Sequence, residues 1–198
     1  MNKKTLLLIP LLMILALCSC AKDPDAPSGM KLASGEAVGY YMYVPQDWVV
    51  PESRDGVSSA YVSITDRSNV TCTSYDVFSK NKEIFELPAE KDESKPDSLV
   101  YAENYWKIYE EQLKTYLPSY RRITDPVSTL VDGRPALRCR YAATMSGADY
   151  DYDMILCIKD GMTAYLLTFT AESSKYSNDV AAFEQIVSSF VFREGIVS

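Results

Sequence analysis

RPALRCRYAATMSGADYDYDMILCIKDGMTAYLLTFT, residues 134–170, is the stretch that decides the fold. It reads as three strand-like runs broken by two short polar turns. Ser146-Gly147-Ala148-Asp149 suits a type II′ hairpin, with Gly147 at the first central position, where positive φ is required. That turn predicts Leu137 opposite Ile158, Cys139 opposite Leu156, Tyr141 opposite Met154 and Ala143 opposite Tyr152. A one-residue slip would put Arg138 and Arg140 among Tyr152, Met154 and Leu156, so the buried face selects the register. Asp160-Gly161 suits a type I′ turn. It predicts Ile158 opposite Thr163, Leu156 opposite Tyr165, Met154 opposite Leu167 and Tyr152 opposite Phe169. The reverse face carries Ile155, Cys157, Ala164 and Leu166, so it is apolar too. An antiparallel sheet apolar on both faces needs cover on both.

Two helices are available for that cover. Over Ser98–Leu117, Ala102, Trp106, Tyr109, Leu113 and Leu117 recur at spacings of four and three and give one apolar stripe. Asp97 or Ser98 can cap its start, and Pro118 ends it. Over Asn178–Ser189, Val180, Phe183, Ile186 and Val187 face one way, with Phe190 following. Upstream, Gly39–Val44 reads as a strand stopped by Pro45. Ser59–Thr65 and Val70–Val77 read as strands joined by the polar turn Asp66-Arg67-Ser68-Asn69. The expected fold class is α+β, an antiparallel β-sheet with helices on both faces, an α/β/α sandwich.

The order of these elements resembles the PsbP-like fold, and more narrowly the secreted DcrB-like lipoproteins that share it. The resemblance is carried by Pro45-Gln46-Asp47-Trp48 after an opening strand and by Gly133-Arg134-Pro135-Ala136 leading into a mid-chain strand. The closing Ser189-Phe190-Val191-Phe192 completes it. It covers roughly residues 38–193. It implies a binding or assembly module without chemistry of its own. Known relatives include extrinsic photosystem subunits and a Ran-binding factor. The resemblance transfers the fold and not the partner.

The amino terminus, MNKKTLLLIPLLMILALCSC, has the pattern of a secretory signal. Lys3 and Lys4 supply the positive start, and the apolar run is too short to span a bilayer. Leu17-Cys18-Ser19-Cys20 resembles a bacterial lipobox with Cys20 as the acylated residue. The competing register puts Cys18 at that place but leaves Leu17 where a small residue is wanted. An ordinary cleaved signal without lipid is the remaining alternative. The expected organisation is a signal over 1–19, a lipidated flexible tether over 20–37 and a single domain over 38–198. The tether, rich in Pro, Gly, Ala and Ser, would reach roughly 20 Å. The expected location is the outer, extracytoplasmic face of a cell membrane, held by the lipid.

Composition removes several function classes. The 198 residues include no histidine, which excludes Ser-His-Asp and Cys-His catalysis, His-ligated zinc and a His-based pH switch. The formal net charge of -7 argues against nucleic acid as a partner. No Gly-rich phosphate cradle is present, and no cofactor or metal site is expected. Hydrophobic residues at 47% indicate a packed domain rather than a disordered chain.

Three candidate features remain. Cys72, Cys139 and Cys157 survive export; the register puts Cys139 and Cys157 on opposite faces, which excludes a bond between them and favours three buried free thiols, with Cys72 meeting either one from another strand as the alternative. Asp149, Asp151 and Asp153 have the opening spacing of a calcium loop, but Met154 stands where that loop needs Gly. They are expected to face water on a strand edge, as a weak calcium contact at most. The connection over 79–97 is long and charged, with Ile84, Phe85 and Leu87 as apolar anchors. It is either a mobile loop with Phe85 tucked onto the domain or a docking segment for an unknown protein partner.

The reading is therefore a lipid-anchored, non-enzymatic binding or assembly module for a protein or envelope component. A small-ligand or ion carrier is the alternative, and a hydrolase the third. Cys20→Ser is expected to release the full-length protein from membranes into the soluble fraction, and Cys18→Ser to leave it anchored. Fractionation with immunoblotting checks both; release by Cys18→Ser alone would move the acylation site.

Overall fold

A computed structural model describes residues 26–35, 38–52, 56–90, 92–117 and 119–193. In chain order the elements begin with β1 (Met30–Leu32), β2 (Tyr40–Tyr41), β3 (Tyr43–Pro45), β4 (Val57–Tyr61) and β5 (Asn69–Asp76). A 3₁₀ turn, Lys82–Phe85, precedes α1 (Asp97–Tyr116). Then come β6 (Arg121–Val131), β7 (Arg134–Met145), β8 (Ala148–Lys159), β9 (Thr163–Glu172), α2 (Tyr176–Ser189) and β10 (Val191–Phe192). The central antiparallel sheet has the order β4-β5-β9-β8-β7-β6. α1 packs on β7 and β8 from one side, and α2 packs on β3 and β9 from the other. The architecture is α+β with helices on both faces of the sheet, as the two-sided apolar strands require.

Three hairpins share one local solution. Asp132-Gly133, Ser146-Gly147 and Asp160-Gly161 all have positive φ at both residues, the type I′ condition. The β7–β8 turn therefore centres on Ser146-Gly147 rather than Gly147-Ala148, and Met145 pairs with Ala148. Every pair moves by two from the expected register: Leu137 lies opposite Leu156, Cys139 opposite Met154 and Tyr141 opposite Tyr152. A shift of two keeps each side chain on its expected face.

At the β8–β9 turn the correction is one residue. The Met162 N–H donates to the Lys159 carbonyl at 3.1 Å and closes the turn, but Lys159 pairs with Thr163, which leaves Met162 as an extra residue. A shift of one reverses β9. Tyr165, Leu167 and Phe169, expected beside Leu156, Met154 and Tyr152, face the α2 side beside Cys157, Ile155 and Asp153. Ala164, Leu166, Thr168 and Thr170 take the α1 side instead.

Two cores result. Under α1, Leu99, Ala102 and Trp106 pack with Leu137, Cys139, Tyr141, Met154, Leu156 and Leu166. Under α2, Phe183 and Ile186 pack with Val70, Cys72, Ile155, Cys157, Leu167 and Phe169. Cys139 and Cys157 thus lie in different cores, and Cys72, Cys139 and Cys157 are all buried free thiols. Burial pushes the Cys72 and Cys157 thiols up to about 12, which keeps them protonated and unreactive. The motifs that carried the resemblance have packing roles. Trp48 is buried after β3, and Phe190 stacks on Tyr40 at 5.1 Å.

The expected boundary at residue 38 is too late. Met30–Leu32 pairs with Tyr43–Pro45, Met30 and Ala33 are buried, and the Met42 N–H donates to Ser34 Oγ at 3.2 Å. Residues 26–35 therefore belong to the domain; the remainder of the tether expectation, with Cys20, lies outside the described residues. At α1, Pro96 occupies the capping position without a side-chain hydrogen bond, and Asp97 is the first helical residue.

Charged side chains fasten each layer. On the α2 side, Arg138 donates to Asp153 at 2.8 and 2.6 Å and to Glu184 of α2 at 2.6 Å. On the α1 side, buried Glu110 accepts from Arg122 and Tyr120, which ties the helix to β6. Arg122 first, then Tyr120, hold the Glu110 carboxyl below the usual carboxylate range. A depressed carboxyl stabilises the fold above the unfolded pKa and loses that contribution as pH falls through the folded one. Glu110→Gln is expected to cost about 1–3 kcal/mol at neutral pH, with the gap to wild type closing in acid. Denaturant titrations across pH check this; a constant gap would mean the charge is not what holds Arg122.

Candidate functional site

The connection from β5 to α1 is built onto the domain. Ile84, in the 3₁₀ turn, is fully buried in the α1-side core. The Asn104 side-chain amide donates to the Ile84 and Glu86 carbonyls at 3.1 and 3.0 Å. At the far end, Lys95 donates to Glu103 at 2.7 Å. Phe85 meets Tyr101 edge-on at 5.1 Å and Phe78 at 5.6 Å. The segment is thus held to α1 at both ends, with Phe85 packed against that helix.

Of the three expected apolar anchors, the structure divides the roles. Ile84 belongs to the core and is unavailable to a partner, because its backbone turn is the one Asn104 holds. Phe85 is half-buried as the middle of an aromatic file. Leu87 is 41% exposed, and Phe78, at the outer end of the file, is 52% exposed.

Between this segment and α1 lies a groove of about 640 Å³. Leu87, Pro88, Val100 and Ile108 supply its apolar lining. Glu83, Glu86, Glu90, Asp92 and Glu103 line it against Lys95 and Lys107. Lys95 is already paired with Glu103, so the groove is net acidic. Ser94 donates to Asp92 through its hydroxyl and backbone N–H and keeps that carboxyl below its ordinary value. Carboxylates beside exposed apolar groups can hold a cationic, amphipathic segment, with charge setting the approach and apolar contact the residence.

The helix side of the groove was legible in principle. Val100, Glu103, Asn104, Lys107 and Ile108 recur at spacings of three and four, which makes a second stripe beside the Ala102–Trp106 one. Its mixed polarity hides it from a search for apolar periodicity. Phe78 had no comparable signal, since its exposure depends on where β5 ends.

Asp149, Asp151 and Asp153 do not face water together. Asp149 is exposed and accepts from Thr144 at 2.6 Å. Asp151 accepts from Arg140 at 2.7 Å and Ser173 at 2.6 Å. Asp153, 1% exposed, accepts from Arg138 and from Tyr176 at 2.6 Å. Arg140 lies directly opposite Asp153 in the register and bonds Asp151 diagonally. The described residues hold no group of three or more His, Cys, Asp or Glu placed for a metal ion. Among them, no helix is long and apolar enough to cross a membrane.

No family model matches the sequence, and no curated protein matches it. Solved structures do match in shape. LpqN, involved in cell envelope biogenesis of Mycobacterium tuberculosis, is 15% identical with a TM-score of 0.53, over 83% of this chain and 90% of its own. The Saccharomyces cerevisiae Ran-binding protein Mog1p is 10% identical with a TM-score of 0.53, over 85% and 98%. The cyanobacterial PsbP of Synechocystis is 13% identical with a TM-score of 0.51, over 89% and 98%. The narrower likeness to DcrB-like lipoproteins rests on the sequence motifs alone. What these structures share with the chain is its architecture: the chain has the PsbP/Mog1 fold.

Proposed function

We propose that the chain is an extracytoplasmic, lipid-anchored binding module without catalytic activity, which docks a basic amphipathic segment of a protein partner in the groove along α1. The observation that carries this reading is Phe78 and Leu87. Both are large, exposed apolar side chains; Leu87 lines the acidic groove, and Phe78 is joined to the same segment through Phe85. Exposed apolar groups on a rigid frame bind with little ordering cost. The carboxylates select a cationic partner over an anionic one. The signal and lipobox pattern around Cys20 supports the location. Two neighbours in fold agree with such a role: one is a Ran-binding protein, and one is involved in cell envelope biogenesis.

The test uses the full-length protein in its own membranes, with a photo-crosslinking residue at position 87. Discrete crosslinked products are expected, and they are expected to vanish with Phe78→Ala and with combined Glu86→Lys and Glu90→Lys. Those surface substitutions should change stability by less than about 0.5 kcal/mol. Ile84→Ala, by contrast, should cost about 2–5 kcal/mol as a cavity in the core. A crosslinking pattern indifferent to Phe78 and to the charge reversals would overturn the docking site. Products that depend on Ile84 alone would show that the segment acts only through the fold.

A further inference from the structure

We propose that the half of the sheet left open by α1 is a binding face for an acidic saccharide, with Tyr61 as the stacking platform and Arg67 as the carboxylate contact. This goes beyond the protein-docking groove and uses different residues. α1 sits on β7 and β8 and reaches β9 at Leu166, so among the described residues the same face over β4, β5 and the Thr168–Thr170 end of β9 has no helix above it. The pairing puts Ser59, Thr71 and Thr168 in one row across the three strands, and Tyr61, Asn69 and Thr170 in the next. All six are half-buried. Among the described residues, no side-chain hydrogen bond engages the hydroxyls of Ser59, Thr71, Thr168 or Thr170. Unengaged hydroxyls about 4.8 Å apart within a row, in rows about 6.8 Å apart, offer a grid of donors and acceptors to the hydroxyls of a sugar chain.

The edge of this face forms a hollow of about 370 Å³ lined by Pro51, Ser59, Tyr61, Arg67, Asn69 and Thr71. The Arg67 guanidinium stands over the Tyr61 ring, 5.9 Å from its centroid. The Asn69 amide donates to the Arg67 carbonyl at 2.9 Å and holds that turn. The neighbouring carboxylate, Asp66, lies within 3.7 Å of the Lys175 ammonium and accepts from the Ser68 N–H at 2.9 Å. Arg67 makes no ion pair among the described residues, in a chain whose net charge is -7. The ligand therefore brings the anion, and a planar guanidinium suits a carboxylate in two-point contact. The acidic chain disfavours polyphosphates and polysulfates, so the matching ligand is a uronic saccharide, with one carboxylate per ring among hydroxyls.

The face continues toward α1 as a tyrosine-lined wall. Tyr105 and Tyr109 stack at 6.0 Å along the helix. Burial first, then the Tyr109 and Tyr75 hydroxyls, push Tyr105 up to about 12, so these groups meet a ligand as neutral donors and acceptors. Asn69 and Tyr75 lie roughly 20 Å apart along β5, which is room for several sugar rings.

The experiment titrates the full-length chain in detergent with hexagalacturonate and, separately, with neutral maltohexaose, by calorimetry. Hexagalacturonate is expected to bind and maltohexaose to bind at least about tenfold more weakly. Arg67→Gln should lower hexagalacturonate affinity about tenfold and erase the difference between the two probes. Tyr61→Ala should weaken both probes, and Thr71→Val should lower affinity by a smaller factor. Melting temperatures of the three variants should match wild type. The Phe78→Ala variant should bind hexagalacturonate as wild type does, so failure here is separable from failure of the groove. No binding of hexagalacturonate overturns the proposal. So does binding that is unchanged in Arg67→Gln and Tyr61→Ala, or inorganic pyrophosphate that binds as tightly, which would reduce the site to one for any small anion.

Discussion

β8 is apolar on both faces, and this constraint organises the molecule. Met154, Leu156 and Ile158 point to one side, and Ile155 and Cys157 to the other. Neither set can be left in water, so a layer must form on each side of the sheet. α1 closes one and α2 the other. The central strands are paired on both edges, which leaves β6 and, apart from the bridge between Val49 and Tyr61, β4 as the edges of the sheet. β6 is irregular in the ways edge strands commonly are. It contains Pro126, and its register shifts between Arg122 and Thr124 and again between Thr124 and Val127.

Both sides bury carboxylates, Glu110 on the α1 side and two on the α2 side. Asp153 and Asp151 are buried on the same face as Ile155 and Cys157, and a buried carboxylate is tolerated only when its oxygens are filled. Here Arg138, Arg140, Ser173 and Tyr176 fill them. The two guanidiniums also lie over the Phe183 and Tyr176 rings, at 5.8 and 3.8 Å from the centroids. Tyr176 opens α2 and Glu184 sits within it, so the network positions that helix along the sheet. A purely apolar contact would let α2 slide; a directional one fixes its place.

Much of this was legible. Alternation over residues 134–170 revealed two apolar faces, and the stripe through Ala102 and Trp106 revealed the helix that covers one. The separation of Cys139 from Cys157 followed from parity alone, which is why a register wrong by two still placed them correctly. The β8–β9 pairing failed for the same reason in reverse. The sequence Lys-Asp-Gly-Met-Thr is compatible with a two-residue or a three-residue loop, and β9 is apolar whichever way it faces. With Tyr165, Leu167 and Phe169 on one side and Ala164 and Leu166 on the other, burial gives no strong preference between the two. β6 escaped for want of alternation. The aspartates were misjudged because carboxylate spacing shows nothing about which arginines stand across the strand.

The one-residue difference at Met162 has a consequence for recognition. Had β9 followed the two-residue turn, Leu167 and Phe169 would lie on the α1 side, beyond the reach of that helix. That exposed apolar surface would need a further helix over β4 and β5 or a permanent partner. With Met162 inserted, Thr168 and Thr170 occupy those places beside Thr71, Ser59 and Asn69. A hydroxyl surface is stable in water without cover. Among the described residues, the same residue therefore makes the part of this face beyond α1 polar and hydrogen-bonding rather than apolar.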